Sequence, residues 1–564
     1  MIPVAFGTII LVLVLLVAAW PLVDGRRRWA LVALGLIVIL GLAHQCLFQT
    51  ISGDAFITFR YARNLASGHG PVFNPGDHVE GYTNFLLMVS LAALHALAGL
   101  DIPATARVLG IVCNLLAIVL TYGLSCKLTG GHRPTALIAA LIVAASGCFA
   151  AYGPSGMETP LFTVLILAVI WSTINESWFF VGLLIALTTM TRPEGILLVL
   201  PALGWCVYCS PTKRQSLRPG LAVLGAVSLL LVPWTLWRLS YYGYLLPNQI
   251  EAKRGMELGH QIMAGGRYLW GFVVYSLPLV LPLFALAGLA FAGGFPRGLR
   301  RSAAVDRLLF FTTALFVLFA VGVGGDWMPG CRFLVPVVPL LSILLLKLWK
   351  ENVCFPQLCT SNRRVAAVFV LLAAFLFVHN TLSSDLLPRV RSWAAQVEGL
   401  AQIGRWLHDS LPADTVVATH ANGALSYYSD LPTIDMLGLT DEHIARSGER
   451  KPRGAPGHIA HDYPYVAGRK PAVVAYLFAV GRGFAPEPYF GVDRPFQTEY
   501  VPVSFKHNRC TNPYGQYVNL LLLRSERKEL VRHLCDPSQD VEVFFPEPDI
   551  QRVGTQVTPV ESGK

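Results

Sequence analysis

Residues 53–85 read GDAFITFRYARNLASGHGPVFNPGDHVEGYTNF, a polar stretch that lies between two long apolar runs. The stretch carries carboxylates, guanidiniums and an imidazole, namely Asp54, Arg60, Arg63, Asp77, His78 and Glu80. Apolar anchors on both sides would hold such a loop at the edge of a bilayer, where ionisable groups are kept mainly for binding or reaction. The stretch therefore predicts a chemically equipped loop that meets a molecule whose tail lies in lipid and whose head lies in water.

The composition of the whole chain predicts a membrane protein. Of 564 residues, 54% are hydrophobic and only 14% are charged, and the mean hydropathy is +0.53. The polar surface is too small to cover a soluble globule of this size. A formal net charge of +10 would suggest a nucleic-acid partner in a soluble protein, but the basic residues fall in short clusters between apolar runs. We therefore expect an α-helical polytopic protein that contacts membrane lipid and no nucleic acid.

Apolar runs near the roughly 20 residues that cross a bilayer set the expected topology. We interpret twelve of them as spans, at about 4–22, 29–48, 104–126, 135–152, 159–173, 176–190, 195–210, 219–240, 271–293, 308–325, 333–349 and 365–383. The short basic connectors then all fall on one side, which the positive-inside rule makes cytoplasmic. The loops on the opposite side, beginning with residues 49–83, face outward.

This parity requires that residues 84–100, which include FLLMVSLAALHALAGL, do not cross the membrane. We interpret them as a re-entrant or surface-lying helix, which is tolerated at membrane depth when it packs against protein. If the run does cross, every later loop changes sides and the arginine clusters lie outside. The alternative is therefore in conflict with the positive-inside rule.

The chain changes character at about residue 384. Residues 1–383 form the expected transmembrane domain, and residues 384–564 form an expected extracytoplasmic α/β domain. Residues 391–409 carry apolar residues at helical spacing, while TVVATH, TIDML, AVVAYLFA and YVNLLLL are typical of strands separated by turns. Cys510 and Cys535 are the only cysteines of this domain, so an oxidising compartment predicts a disulfide between them.

Asp54 is the leading catalytic candidate in the outward loops. It follows the second apolar run directly, so its carboxylate is expected at the lipid boundary, partly desolvated, with a raised pKa that suits a general base. A surface aspartate that ends a helix is the alternative. Arg60 and Arg63 follow at a spacing that places them on one face of a short helix, and their guanidiniums suit a phosphate or diphosphate.

Further residues of the outward loops are candidates for binding a phosphate or a sugar. The full set is Tyr82, Asn84, Glu158, Arg192, Glu194, Asn248, Lys253, Asp326, Trp327 and Arg332. Arg192 with Glu194, and Asp326 with Arg332, are explained equally well as ion pairs that close helix ends.

Aromatic and amide side chains of the same loops have their own alternatives. Trp327 and Tyr82 are candidates for stacking on sugar faces, although aromatic residues at this depth are often membrane-belt residues. Asn248 and Lys253, in LPNQIEAK, suit contacts to hydroxyl or phosphate groups. An ordinary solvated loop is the alternative for these two.

Several motifs occur in the order found in a known family. They are DAFITFRYARNLASGHGPVFNPGDHVEGYTNF, GMETPLF, TRPEG, YYGYLLPNQIEAK, GGDWMPGCRFLVPVVP and IDMLGLTDEHIA, between about residues 50 and 460. In these motifs the chain resembles the terminal arabinofuranosyltransferase branch of the GT-C membrane glycosyltransferases. The resemblance implies a GT-C fold and transfer of a sugar from a polyprenyl-phosphate carrier to a glycan, lipid or protein hydroxyl at the outer face. It also implies that an aspartate of the first outer loop, here Asp54, is catalytic.

Two regions depart from or qualify that resemblance. Asp54 matches the second member of an acidic pair in this branch, and Gly53 stands at the first place. That departure weakens a mechanism with two adjacent carboxylates, for example around a divalent cation, and leaves a single-base mechanism intact. Asp435 and Asp441 match the outer-domain motif as acceptor-side candidates, although Asp441 is also explained as the N-cap of a helix.

The expected protein is thus a multi-pass glycosyltransferase of a bacterial inner membrane, with arabinofuranose as the first donor sugar to test. The resemblance implies no nucleotide-sugar site, and a divalent cation is the one cofactor left open. Retention and inversion are both compatible with the sequence. The alternatives are a lipid-linked sugar flippase or transporter and a non-catalytic envelope assembly protein. A transporter would place ionisable residues near the midplane of its spans, and the spans here are nearly free of charge.

Overall fold

The computed structural model describes most of the chain, and helices dominate its first part. The described residues are 2–23, 27–209, 212–276, 300–352, 371, 373–375, 377–379, 385–454, 457, 459–475, 480–481, 494–507, 517–535 and 541–544. The helices before residue 353 are α1 (Ile2–Val23), α2 (Arg27–Gln45), α3 (Ala55–Ala66), α4 (Phe85–Ala98), α5 (Ile102–Leu128), α6 (Arg133–Ala145), α7 (Gly147–Tyr152), α8 (Thr159–Ile174), α9 (Trp178–Thr191), α10 (Val199–Cys209), α11 (Lys213–Tyr242), α12 (Asn248–Ala252), α13 (Leu258–Tyr275), α14 (Arg300–Gly322) and α15 (Val337–Asn352). Short 3-10 turns follow α7, α9 and the loop after α14, at Gly153–Ser155, Pro193–Leu198 and Arg332–Leu334.

Several of these helices are apolar enough to lie in a bilayer. Those long enough to cross it alone are Arg27–Gln45, Ile102–Leu128, Gln215–Tyr242 and Ala304–Gly322. The segments Arg133–Ala145 and Gly147–Ser155, bent by 60°, qualify together as a fifth. This composition identifies a membrane protein, but the predicted number of twelve spans is not confirmed. Two predicted spans, 271–293 and 365–383, lie mostly outside the described residues.

Helix α4 occupies the run that the sequence analysis interprets as non-spanning. Its 14 residues extend about 21 Å at a rise of about 1.5 Å per residue, which is less than the roughly 30 Å of a bilayer core. The helix ends at Gly99, whose φ of 63° is the left-handed conformation that favours glycine at this position. The length fits a re-entrant or surface helix, and the assignment of each loop to a side of the membrane stays a prediction.

The last part of the described chain combines helices with a mixed sheet. Its helices are α16 (Leu386–Ser410), α17 (Ala424–Ser429), α18 (Glu442–Ser447), α19 (Tyr463–Gly468), α20 (Arg494–Glu499) and α21 (Arg527–Leu534). Its strands are β1 (Val417–Thr419), β2 (Thr433–Asp435), β3 (Glu449–Arg450), β4 (Ala460–His461), β5 (Val473–Ala475), β6 (Val480–Gly481), β7 (Tyr500–His507), β8 (Tyr517–Leu523) and β9 (Val541–Phe544). The predicted helix over 391–409 and the four predicted strands are confirmed as α16, β1, β2, β5 and β8.

The sheet is parallel at one end and antiparallel at the other. The order is β2-β1-β5-β8-β7-β9, with β6 also paired to β8. Strand β1 pairs in parallel with β2 and β5, so that Val417 lies opposite Thr433 and Val473. All residues of these three short strands are buried, as expected where a parallel sheet is covered on both faces. Helix α16 packs on the sheet through Trp406, whose ring lies 5.2 Å from that of Phe505.

Two hydrophobic cores divide the described residues. The first is built from the membrane helices, including α2, α6, α8 and α15. The second joins α3 and α4 to the α/β domain. Phe56 of α3 contacts Tyr427 and Tyr428 at ring distances of 5.5 Å each. The first outer loop is therefore packed against the C-terminal domain rather than projecting alone into solvent.

Two expectations for the C-terminal part, a disulfide and a domain boundary, remain predictions. Cys510 lies outside the described residues, so its disulfide with Cys535 is not tested here. The boundary between domains at residues 383 and 384 is likewise a prediction, since residues 380–384 are among those not described.

Candidate active site

The outward loops converge on one cavity of about 500 Å³. Its wall contains most of the predicted site residues, namely Asp54, Asn84, Glu158, Arg192, Glu194, Lys253, Asp326, Trp327 and Arg332. They reach it from the first outer loop, from the turns that precede α8 and α10, from the end of α12 and from the loop after α14. Gly457 of the C-terminal domain lines the same cavity. Residues that are distant in sequence are thus combined in one polar chamber.

Asp54 lies at the start of α3, where it is half-buried and faces the cavity. It occupies the N-cap position of α3, as the alternative of an aspartate at a helix end has it, but its carboxylate makes no capping hydrogen bond. The approach to Asp54 is fixed by the N–H of Ser52, which donates to the carbonyl of Ser155 at 2.8 Å. The carboxylate is therefore held at the cavity wall by the backbone on either side of it.

The C-terminal domain covers the peptide just before Asp54. A side chain at Gly53 would meet Val397 of α16, with 3.5 Å between the added Cβ and a Val397 methyl. Gly423 lies directly against the carbonyl of Gly53, so closely that any side chain at 423 would collide with it. A side chain at position 53 would thus make an ordinary van der Waals contact with Val397, whereas position 423 has room only for glycine.

A buried polar network forms the wall next to α3. Asn84 donates to Glu158 at 3.1 Å and to the Thr58 hydroxyl at 3.0 Å. Arg192 bonds Glu158 at 2.6 Å and Glu194 at 2.5 Å. Burial by itself would raise the pKa of Glu158, but the charges of Arg192 and Arg332 outweigh it, so that this pKa lies below its usual value. The carboxylate of Glu158 is thus ionised and fixed in place.

Asp326 and Arg332 form another part of the cavity wall. Their side chains pair at 2.7 Å and are almost entirely buried, at 5% and 9% exposed. The guanidinium of Arg332 lies 5.2 Å above the ring of Phe333. The charges of Asp326, Glu158 and Asp54 together outweigh the burial of Arg332 and raise its pKa. Arg332 is therefore a permanent cation close to the Asp54 carboxylate.

Lys253 brings an ammonium to the same space. It ends α12, its surface is exposed and it lines the cavity. Desolvation by the surrounding protein and repulsion from Arg332 lower the pKa of Lys253, while the charges of Asp54 and Asp326 partly offset them. No ion pair of Lys253 is seen within the described ranges. An exposed ammonium between a carboxylate and a guanidinium is suited to receive an anionic group.

Arg60 and Arg63 are not at the cavity, in contrast to the phosphate-binding role that the sequence predicts for them. Arg60 is 2% exposed. Its five N–H donors go to the carbonyls of Phe73, Ser426 and Leu431 and to the side chains of Asn74 and Thr433. Arg63 pairs with Asp430 at 2.5 Å and donates to the Tyr427 carbonyl at 3.1 Å. Both arginines share one face of α3, as expected, but that face joins the C-terminal domain.

Tyr82 and Asn248 also lie away from the cavity wall. The Tyr82 hydroxyl is buried and bonds that of Tyr242 at 3.1 Å. The Asn248 amide donates to the carbonyls of Gly438 at 2.8 Å and Asp441 at 3.0 Å. Both residues therefore hold the loops to their neighbours, which leaves no exposed surface for stacking on a sugar or binding a hydroxyl.

The acceptor-side candidates Asp435 and Asp441 shape one turn of the C-terminal domain. Asp435 is fully buried and accepts the N–H groups of Leu437 at 3.0 Å and Thr440 at 2.8 Å. Burial outweighs these bonds and raises the pKa of Asp435 to about 6. Asp441 accepts the N–H of Ile444 at 3.0 Å and is thus the N-cap of α18, which confirms the helix-cap alternative. Neither lines the cavity.

Two polar features were missed from the sequence. Arg238 of α11 forms a buried, two-bond pair with Glu80, at 2.6 and 2.5 Å, and fixes the end of the first outer loop. A single charge inside the apolar run 219–240 was the available signal, because such residues are costly in a membrane unless paired. Thr58 lines the cavity one helical turn after Asp54, and its short polar side chain gave no signal of its own.

The chain is similar in sequence to several known proteins. Residues 86–237 match the family described as dolichyl-phosphate-mannose-protein mannosyltransferase, and residues 389–521 match a domain of unknown function, DUF8728. The terminal beta-(1->2)-arabinofuranosyltransferase of Mycobacterium tuberculosis is 29% identical over 328 residues, 52% of this chain and 51% of that protein. The protein of the same name from Corynebacterium glutamicum is 26% identical over 339 residues, 52% of this chain and 47% of that protein. The chain spans about half the length of these curated relatives.

The solved structures extend the fold similarity to nearly the whole chain. ArnT from Cupriavidus metallidurans bound to undecaprenyl phosphate has a TM-score of 0.52 at 16% identity, covering 88% of this chain and 98% of ArnT. The same protein in the apo state has a TM-score of 0.51 at 14% identity, covering 87% and 98%. At these identities the similarity shows a shared fold. In sequence this chain is thus similar to the terminal arabinofuranosyltransferases, and it shares its membrane-protein fold with ArnT.

Proposed function

We propose that this protein transfers a sugar, with arabinofuranose as the first to test, from a polyprenyl-phosphate carrier to a hydroxyl of a cell-envelope glycan, lipid or protein. The observation that carries the proposal is the cavity that brings Asp54, Lys253 and Arg332 together beside apolar helices. The relatives named terminal beta-(1->2)-arabinofuranosyltransferase support the sugar. The ArnT structure bound to undecaprenyl phosphate supports the class of carrier.

In this proposal Lys253 and Arg332 receive the phosphate of the donor. A phosphate leaves readily once its charge is compensated, and the exposed ammonium of Lys253 provides that charge on the open side of the cavity. Phe319 and Val323, at the end of α14, add an apolar part to the cavity wall. That part suits the first units of a prenyl chain, so that the carrier enters from the bilayer with its sugar towards Asp54.

Asp54 acts as general base on the acceptor hydroxyl. The hydroxyl oxygen forms a bond to the anomeric carbon, the bond from that carbon to the phosphate oxygen breaks, and the hydroxyl proton passes to the Asp54 carboxylate. Polyprenyl phosphate leaves with the bonding electron pair. The network of Asn84, Glu158 and Arg192 holds the wall behind Asp54 in one arrangement, which keeps the reacting groups aligned.

The place of action follows from the same proposal. We assign the protein to a bacterial inner membrane, with the cavity and the C-terminal domain on the extracytoplasmic side. The clusters of arginine in the opposite loops support this orientation.

The test is a donor screen with the purified full-length protein in detergent or nanodiscs. Synthetic short-chain polyprenyl phosphates carrying arabinofuranose, ribofuranose, mannose or glucose are supplied, and release of polyprenyl phosphate is followed by mass spectrometry. We expect release from one pentosyl or hexosyl donor, and its loss in the Asp54→Asn variant. Release from none of the donors by the wild-type protein would refute the proposal.

A further inference from the structure

Trp327 differs from its neighbours in the cavity wall because its loop is fixed by buried contacts while its own side chain is partly exposed. The neighbouring Asp326 and Met328 are buried, whereas Trp327 is 39% exposed and lines the cavity. Exposing a large aromatic side chain at the wall of a polar cavity costs free energy, and a ligand that covers the apolar ring would remove that cost.

The loop around Trp327 is held by two tyrosines. The Tyr152 hydroxyl donates to the Pro329 carbonyl at 2.8 Å, and the Tyr268 hydroxyl accepts the N–H of Phe333 at 2.9 Å. Gly325 has a φ of 77° and lies so close to Tyr268 that a side chain there would collide with the ring at 2.5 Å. These contacts set the backbone on both sides of Trp327, so its position is defined before any ligand arrives.

Helix α16 contacts both Trp327 and the residue that precedes Asp54. Trp393 of α16 contacts Trp327 with ring centres 5.2 Å apart and planes at 77°. One turn later on the same helix, Val397 lies against Gly53. The C-terminal domain thus spans the cavity edge from Trp327 to the residue before Asp54. Lys253 meets a different part of that domain, near Gly457.

This arrangement separates two sides of the reacting centre. If the phosphate leaves towards Lys253, as the proposed function has it, the space between Asp54 and Trp327 is left for the nucleophile. We propose that Trp327, supported by Trp393, is a stacking platform for a sugar ring of the acceptor, so that the acceptor is a glycan. A tryptophan face covers the C–H side of a sugar ring, and the ring hydroxyls stay free to reach Asp54.

A membrane-belt role would predict a different environment. Trp270 of α13 is 68% exposed and does not line the cavity, so it serves as a matched tryptophan for comparison. Trp327 instead has a second tryptophan from the C-terminal domain against it and lines the same cavity as the catalytic candidate Asp54.

The experiment measures acceptor and donor dependence separately, with a short-chain polyprenyl-phosphate arabinofuranose as donor and a panel of synthetic alkyl glycosides as acceptors. In Trp327→Leu we expect the acceptor KM to rise about tenfold, a cost within that of losing a buried aromatic contact, with the donor KM and the slow hydrolysis of donor by water within about twofold. Trp327→Tyr, which keeps a ring, should recover most of the acceptor affinity. Trp270→Leu should resemble the wild type in both.

Every other outcome contradicts either the role of Trp327 or the proposed function. An unchanged acceptor KM in a folded Trp327→Leu protein, or a rise in the donor KM alone, overturns the platform. Transfer by the wild type to alkyl alcohols or peptides but to no glycoside also overturns it. No turnover of any donor by the wild type, even to water, overturns the proposed function itself, on which the platform rests. Thermal melting of the variants shows whether a change reflects folding, and the tyrosine variant decides the matter if the leucine variant is unstable.

Discussion

The junction between the first outer loop and the C-terminal domain uses buried arginine differently from the cavity. At the junction, Arg60 gives every N–H donor to a neutral oxygen, and three of the five acceptors belong to the C-terminal domain. In the cavity, Arg332 pairs with the carboxylate of Asp326 beside open space. Neutral partners that enclose a guanidinium make it part of the framework, whereas a cation at the edge of a cavity can meet an incoming anion. Whether the guanidinium borders the open cavity, and not burial alone, distinguishes the two roles.

The largest expected effect is at the cavity. Asp54→Asn should lower transfer by about a hundredfold to ten-thousandfold, the range for loss of a general base, while the melting temperature changes little because Asp54 is only half-buried. Initial rates with saturating donor and acceptor measure the effect. Asp77→Asn is the control, since Asp77 is an exposed aspartate of the same loop. Activity of Asp54→Asn within a few-fold of the wild type would remove Asp54 from the mechanism.

The next effect concerns the junction and should appear in stability. Arg60→Met leaves several buried carbonyls without a donor and should destabilise the protein by about 3 kcal/mol or more, while folded molecules keep their donor KM. Arg63→Met should cost only about 1 kcal/mol, because its pair with Asp430 is partly exposed. Thermal melting and donor titrations measure the two quantities. If Arg60→Met raised the donor KM without changing the melting temperature, Arg60 would have the predicted phosphate-binding role. The contrast between Arg60 and Arg332 would then not hold.

A pH series sharpens the description of the junction. The pKa of Asp435 is raised from 3.8 to about 6 in the folded protein, so the folded state binds this proton more tightly than the unfolded state. The stabilisation that this group contributes is complete below pH 4 and is lost as the pH rises from 4 to 6. Above pH 6 no further change is expected, and the total loss in the free energy of unfolding is about 3 kcal/mol. Asp435→Asn should remove that slope from a plot of melting temperature against pH, and Asp414→Asn, at an exposed site, should keep it. Parallel curves for the wild type and Asp435→Asn would contradict the assignment.

The smallest effect returns to the cavity. Lys253→Met should raise the donor KM about tenfold, equivalent to about 1.4 kcal/mol, with little change in the acceptor KM or in stability, because the side chain is exposed. Lys528→Met, an exposed lysine of α21, is the matched control. Steady-state kinetics with each substrate varied in turn distinguish the two KM values. Equal increases in both would indicate that Lys253 orders the loop instead of contacting the phosphate.

The convergence of the outward loops was predictable because apolar runs restrict where polar loops can go. Once the helices are fixed in a bilayer, short loops such as those bearing Glu158, Arg192 and Asp326 have only one surface available, and the cavity unites them. The strands of the C-terminal domain were equally accessible, since their apolar runs are bounded by turn residues.

The roles of Arg60 and Arg63 were not predictable from local sequence. Their spacing correctly indicates one face of a helix, but the partners of Arg60 lie 366 and 371 positions later in the chain. A charge pattern indicates that one face of a helix is polar, but it does not indicate which part of the protein packs on that face. The same limit applies to Asn248, whose carbonyl partners lie 190 and 193 positions away. Long-range packing decides between a ligand contact and a structural contact at these sites.

The contact of Gly423 with Gly53 has a consequence for engineering. A chimera that exchanges the C-terminal domain between relatives by cutting the chain near residue 384 would place a foreign residue against the Gly53 carbonyl, where only a glycine such as Gly423 fits. It would also pair a foreign surface with Phe56 and Arg60. A transplant should therefore carry residues 53–83 along with the domain, although some three hundred residues separate them in the gene product. The unit that can be exchanged is therefore defined by the packing interface between residues 53–83 and the C-terminal domain, and not by a single position along the chain.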